Sequence, residues 1–253
     1  MDQIDLRSRY LDLLEKSLLD AVYGEQLIEV RLRRLLQRVR HPYLTRRGAL
    51  ATPARAHTMI GPVRLRNLRG LVERTLQEGI PGDYIETGVW RGGACILMRG
   101  VLAAHGIADR RVYVADTFAG LPPPDAKYPA DKRDHLHAFS DLAVSEERVR
   151  QNFAAYGLLD DQVIFLKGLF QDTLPRVSND RFALIRLDGD MYGSTISALE
   201  NLYDRLSPAG FVVIDDYGGL RNCAKAVHDF LDQRGLSVKM QPVDQSCVWW
   251  QKE

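Results

Sequence analysis

The sequence predicts an α/β fold: a doubly wound, mostly parallel sheet of seven strands, preceded by an N-terminal helical arm. Three observations predict it. From Gly61 onward, short apolar runs rich in β-branched and aromatic residues alternate with stretches long enough for helices, the pattern of βαβ units with both sheet faces covered. A glycine-rich turn follows the first run, where such folds receive a ligand. The last two runs, L-S-V-K-M and C-V-W-W-Q, lie close together and read as a terminal hairpin that adds one antiparallel edge strand.

In chain order, the first forty residues are charged and periodic. Leu11, Leu13, Leu14, Leu18, Leu19 and Val22 cluster on one side of a helix of about five turns. The stretch V-R-L-R-R-L-L-Q-R-V-R-H-P is basic, but its arginines alternate with leucines as on a solvated helix face. Residues 43–53 carry a proline, a glycine and no period, which reads as a mobile loop suited to a lid. Residues 1–60 are therefore expected to form an arm and lid, and residues 61–253 the sheet domain. The strands are D-Y-I-E-T, R-V-Y-V-A-D, Q-V-I-F-L, F-A-L-I-R-L-D and F-V-V-I-D-D, then the hairpin; helices are expected over Gly93–His105, Val144–Tyr156 and Thr195–Leu206.

Composition narrows the function. Lys and Arg total 34 against 33 Asp and Glu, a balance with no field suited to nucleic acid or an anionic membrane, so a small neutral ligand fits better. The three cysteines, Cys95, Cys223 and Cys247, match neither a zinc spacing nor a disulfide framework, and a reducing compartment is the simplest setting. No apolar run approaches the roughly 18 residues of a membrane span, and the first residues lack a secretory core. A cytoplasmic protein is expected.

The turn I-E-T-G-V-W-R-G-G-A sets Glu86 and Thr87 at a strand end and Gly88, Gly92 and Gly93 at the start of the next helix. Glycines there permit positive φ and close approach of a ligand, or simply tight packing of strand on helix. The spacing departs from the dinucleotide pattern G-x-G-x-x-G, which argues against NAD. The second strand ends in V-A-D-T-F, so Asp116 either accepts the hydroxyls of a ribose or caps the following turn. After the third strand, Gly168 with Leu169 and Phe170 either sandwiches an adenine or starts a helix.

The fourth and fifth strands end in R-L-D-G-D-M-Y-G and V-I-D-D-Y-G, bringing Asp188, Asp215 and Asp216 to neighbouring tips. Three carboxylates in one crevice repel unless a cation or protons compensate, and all-oxygen ligation suits a hard cation such as Mg²⁺. Adjacent strand residues face opposite sides, so Asp215 and Asp216 share an ion only where the chain is already turning, as Gly218 and Gly219 allow. The competing reading makes Asp190 and Asp216 solvated turn residues, and for Asp190 it is preferred. A divalent ion acidifies and orients a bound hydroxyl, and Asp188 is the candidate base, with or without ligating the ion itself.

The runs A-H-T-M-I-G, E-T-G-V-W-R-G-G-A, Y-G-L-L-D-D-Q-V, L-D-G-D-M-Y-G-S-T and L-S-P-A-G-F-V-V-I-D-D-Y resemble the macrocin O-methyltransferase (TylF-type) family, whose members methylate deoxysugar hydroxyls of macrolides and aminocoumarins. The resemblance extends from about Leu11 to the final V-W-W. It implies a class I methyltransferase (Rossmann-like) fold over residues 61–253, S-adenosylmethionine as methyl donor, Mg²⁺, a small glycosylated acceptor and a homo-oligomer, dimer or tetramer. By position, Glu86 and Gly88 would hold the methionine part of the donor and Asp116 its ribose, with Thr87, Gly92, Gly168 and Phe170 as further candidate donor contacts. Thr58 and Met59 would cover the donor; His57 beside them is more often a packing residue. Asp188, Asp215 and Asp216 would hold the metal, with Asp188 also reaching the donor and acting as base.

Two departures bear on the acceptor. Residues 26–53 are basic, unlike the sugar enzymes, and residues 122–139 resemble the family in little beyond L-H. There His137 either faces the substrate or is an exposed polar residue; Tyr217 is the second candidate substrate contact. The alternatives are a catechol or other phenol as acceptor, and a non-catalytic protein that binds an adenosine ligand.

Overall fold

The computed structural model describes residues 5–22, 55–177 and 180–253. The basic stretch and the lid expected at residues 43–53 lie outside the described residues.

Seven strands form one sheet in the order β3-β2-β1-β4-β5-β7-β6. Strands β1 (Asp83–Thr87), β2 (Val112–Asp116), β3 (Val163–Lys167), β4 (Phe182–Leu187) and β5 (Leu206–Ile214) pair in parallel. Their apolar runs are continuous because both faces are covered: every residue of β4 is buried. Strand β7 (Val248–Gln251) runs antiparallel to β5 and to the two-residue β6 (Gln241–Pro242).

The hairpin therefore differs from expectation in two ways. The antiparallel strand β7 lies inside the sheet, and β6 is the edge. L-S-V-K-M is not a strand: Leu236, Val238 and Met240 pack against the core, and pairing begins only at Gln241. It ends at once on Pro242, which has no N–H to extend a ladder.

Helices α2 (Gly61–Gln77), α3 (Gly93–Ala104), α4 (Glu146–Ala155), the single turn α5 (Phe170–Thr173), α6 (Tyr192–Leu202) and α7 (Arg221–Arg234) complete the layers. Helix α6 starts three residues before its expected start, directly on the loop after β4. One core gathers α2, α3 and α4 on one sheet face, and another gathers α6 and α7 on the opposite face.

The arm is a shorter helix than its leucines suggest. Helix α1 (Leu6–Leu18) buries Leu11, Leu14 and Leu18, spaced three and four apart, whereas Leu13 is 56% and Val22 42% exposed. Asp20 at φ +57° ends it. The buried face of α1 joins the core of α2 and α3, crossing α3 at Gly100, where a Cβ would strike Leu14. Among the described residues, no helix is long and apolar enough to cross a membrane.

Candidate active site

Strand order reverses between β1 and β4, and the two chains meet beyond their carboxyl ends. Asp188 N donates to Thr87 O at 2.9 Å, and Gly88, at φ +85°, lies so close to the Asp188 carbonyl that any Cβ would overlap it. A cavity of about 1630 Å³ opens above this point. Ordinary small-ligand sites occupy roughly 300–1,000 Å³, so this volume accommodates two ligands side by side.

One half of the cavity is built on the glycine turn. Gly92, at φ +84°, precedes α3, and a Cβ there would press on Val149 and Phe153. Gly92 thus seats α4 and does not line the cavity. The Asp116 carboxylate accepts from Val89 N at 2.8 Å and Phe118 N at 2.8 Å, fastening the turn after β1 to the turn after β2. Burial raises its pKa while these N–H groups pull it down. Asp116 also lines the cavity, so it caps its own turn and still offers lone pairs to a ligand hydroxyl. Gly168 N donates to Asp116 O, and beyond it Leu169 and Phe170 line the wall.

The segment before α2 closes this half. Gly93 N donates to His57 O at 2.9 Å, and Met59 lines the cavity. Thr58 is buried behind it against Gly93. His57 points elsewhere, its Nδ1 3.0 Å from Tyr156 Oη, in the packing role that sequence favours.

The other half holds the carboxylates. Strand β5 ends at Ile214, so Asp215 and Asp216 both lie past the strand, and ligand atoms of Asp188, Asp215 and Asp216 come within 4.8 Å of one another. The expectation that a cation or protons alone compensate them is corrected by two arginines. Arg186, 1% exposed, pairs with Glu86, with Asp188 Oδ2 at 2.8 Å and with Asp215; Arg64 Nη1 lies 2.5 Å from Asp215 Oδ2, and its Nε 2.7 Å from Asp244. Arg186 stands two residues before Asp188, hence on the same side of the strand.

Asp190 also departs from expectation. At φ +59° it lines the cavity, half-buried, beside the Asp216 carboxyl. Burial and the neighbouring carboxylates push both acids well above the usual range. Asp215 is pushed up to about 6 by burial, against the pull of Arg186. Carboxyls therefore remain in excess after both arginines are counted. Asp216 Oδ2 is buried with no hydrogen-bond partner among the described residues, an orphan that a hard cation would satisfy.

Four further expected contacts lie away from the cavity wall. Glu86 is enclosed beneath the floor, 2% exposed, held by Arg186 and by Cys95 Sγ at 2.9 Å, and burial raises it to about 7. Thr87 is fully buried, its hydroxyl without a partner among the described residues. Tyr217 turns its hydroxyl to His228 Nε2 at 2.8 Å. His137 is exposed and outside the lining, which His135 and Arg133 reach instead. Arg186 and Arg64 were missed; a charged residue inside the buried run F-A-L-I-R-L was the available signal for the first.

A family model described as macrocin-O-methyltransferase (TylF) matches residues 7–252. The 8-demethyl-8-(2,3-dimethoxy-α-L-rhamnosyl)-tetracenomycin-C 4'-O-methyltransferase of Streptomyces olivaceus is 48% identical, covering 97% of this chain and 93% of its own. The mycinamicin III 3''-O-methyltransferase of Micromonospora griseorubida is 43% identical over 96% of both chains. Among solved structures, the O-methyltransferase NovP superposes with a TM-score of 0.86 at 43% identity, covering 97% of this chain and 99% of that one.

Proposed function

The chain belongs to the macrocin O-methyltransferase family of S-adenosylmethionine-dependent enzymes, and from that premise we propose that it methylates a hydroxyl of a deoxysugar on a glycosylated natural product with the help of Mg²⁺. One observation carries the metal-assisted part: the carboxyl groups of Asp188, Asp215 and Asp216 converge within 4.8 Å in the cavity that also contains the glycine turn. The Streptomyces olivaceus relative is named for O-methylation of a rhamnosyl-bearing tetracenomycin, which supports the acceptor class.

The donor supplies an electrophilic methyl on a sulfonium centre, and Mg²⁺ held by the three aspartates would orient and acidify an acceptor hydroxyl. The chain's residues do the rest. Gly88, Trp90, Arg91, Asp116, Met59 and Phe170 surround the donor half, and the two halves share one wall where Gly88 touches Asp188. Arg186 donates to Asp188 Oδ2, which leaves Oδ1 of this cavity-lining carboxylate to accept the hydroxyl proton. Holding hydroxyl and methyl donor in one enclosure converts an encounter into an intramolecular step, a gain that reaches roughly 7–11 kcal/mol in favourable cases.

The test is transfer of label from S-adenosylmethionine to a panel comprising methyl α-L-rhamnopyranoside, rhamnosylated tetracyclic polyketides, glycosylated macrolides and catechol. Methylation of glycosides that falls at least a hundredfold in excess chelator and returns with Mg²⁺ is expected. Full activity in chelator would overturn the metal role, and exclusive methylation of catechol the sugar.

A further inference from the structure

Between β2 and α4 the chain runs as a strap of three short 3-10 turns, Pro129–Asp131, Leu136–Ala138 and Ser140–Leu142. Arg133, His135, Leu136 and Phe139 of this strap line the cavity. Repeated short turns have little internal stability, so the direction of these side chains depends on what pins the strap. Its far end is tied to the donor half by Trp90 Nε1, which donates to Asp141 O at 2.9 Å.

The near end is pinned by Asp131, a carboxylate only 1% exposed. Its Oδ1 accepts from Tyr192 N at 2.8 Å and from Asn222 Nδ2 at 3.1 Å, and its Oδ2 from Gly193 N at 2.8 Å. Tyr192 and Gly193 are the first residues of α6, whose own N-cap, Met191, makes no side-chain cap bond. Asp131 therefore caps α6 from 61 residues away, with the helix dipole favouring its charge. Gly193 has no side chain because the Tyr128 ring lies against it. Helix α6 begins directly after the loop of Asp188 and Asp190, so one side chain fixes the strap to the element that carries the carboxylates.

We propose that Asp131 is a positioning residue for the acceptor: it sets the cavity-facing residues Arg133, His135, Leu136 and Phe139 in register with Asp188, so that this strap selects the acceptor. The proposal rests on the sugar methyltransferase reading for its substrate, but not for its mechanics. In Asp131→Asn an amide N–H₂ must oppose one of the two backbone N–H donors, which loosens the strap at one end only.

With methyl α-L-rhamnopyranoside as acceptor, the variant is expected to raise the acceptor KM at least tenfold while kcat stays within threefold and the Kd for S-adenosylhomocysteine within twofold. Amide exchange over residues 133–142 should accelerate at least tenfold while that of residues 83–87 does not change. Arg133→Ala, which leaves the pin intact, should raise KM without altering exchange. Unchanged KM and exchange in Asp131→Asn, or a parallel loss of donor affinity, would overturn the proposal. If that variant does not fold, Asn222→Ala, which removes one of the three contacts, carries the same test with an expected threefold rise in KM. A wild-type protein that methylates no glycoside sinks the sugar reading alone, and the exchange measurement still decides the role of Asp131.

Discussion

Gly88 and Asp188 show how much of the site rests on single residues. Gly88 sits at φ +85° with its missing side chain aimed at the Asp188 carbonyl, a backbone atom that cannot rotate away. Gly88→Ala therefore combines a left-handed conformation with a steric overlap, and a loss of about 3 kcal/mol is expected, read as a lowered denaturant midpoint together with weakened donor binding. A wild-type midpoint in the variant would show that β1 and β4 are farther apart than described. Asp188→Asn keeps the shape and removes the charge and the proton acceptor. Turnover is expected to fall at least ~10³-fold while calorimetry finds donor affinity within a fewfold, and substantial residual turnover would remove Asp188 as base. These residues were legible because glycines and aspartates at strand ends announce themselves. Arg186 was not, because its meaning depends on register: it stands opposite Glu86 across the β1–β4 pair, and only the strand order brings those positions together.

At the scale of elements, the parallel strands were legible from their continuous apolar runs, and all five begin and end within a residue or two of expectation except at the start of β5. That strand starts early at Leu206, where Ala209 at φ +61° bulges the chain before regular pairing resumes at Phe211. The strap over residues 129–142 was not legible, because its turns have no period from which to tell a cavity-facing His135 from an exposed His137. Between elements, buried Arg99 on α3 is held by Asp160 after α4, with Nη2 to Oδ2 at 2.5 Å and Nε to Oδ1 at 3.0 Å. The guanidinium holds the Asp160 carboxyl below its ordinary range. A lowered acid pKa stabilises the fold above the unfolded-state value of about 3.9, and that contribution disappears as pH falls through the lower folded value. Asp160 is 42% exposed, so solvent screening reduces the effect to about 1 kcal/mol at neutral pH. Asp160→Asn should cost that amount in urea unfolding at pH 7, and the difference from wild type should shrink as pH drops below about 4. A difference independent of pH would show that packing, not charge, joins these elements.

For the whole molecule, the carboxylate cluster is a cost to the sheet that the proposed cation would relieve. Glu86, Asp188, Asp190, Asp215 and Asp216 crowd the ends of β1, β4 and β5, with Arg186 and Arg64 as the counter-charges among them. Burial and like-charge repulsion push Glu86, Asp190, Asp215 and Asp216 above the ordinary carboxylate range, against the pull of the arginines. Binding to the folded state alone adds RT ln(1 + [Mg²⁺]/Kd), about 2.7 kcal/mol at a hundredfold excess over Kd. At roughly 2–4 °C per kcal/mol for a chain of this size, Tm should rise by about 5–10 °C. Asp216→Asn separates this from a nonspecific salt effect by the sign of its two changes. It relieves repulsion around an oxygen with no partner, so the variant without metal should melt about 2 °C higher than wild type. It also deletes a ligand, so the rise with Mg²⁺ should vanish. A variant that melts lower without metal, or that still responds to Mg²⁺ as wild type does, would mean that the orphaned oxygen of Asp216 is a packing feature and that the cation binds elsewhere.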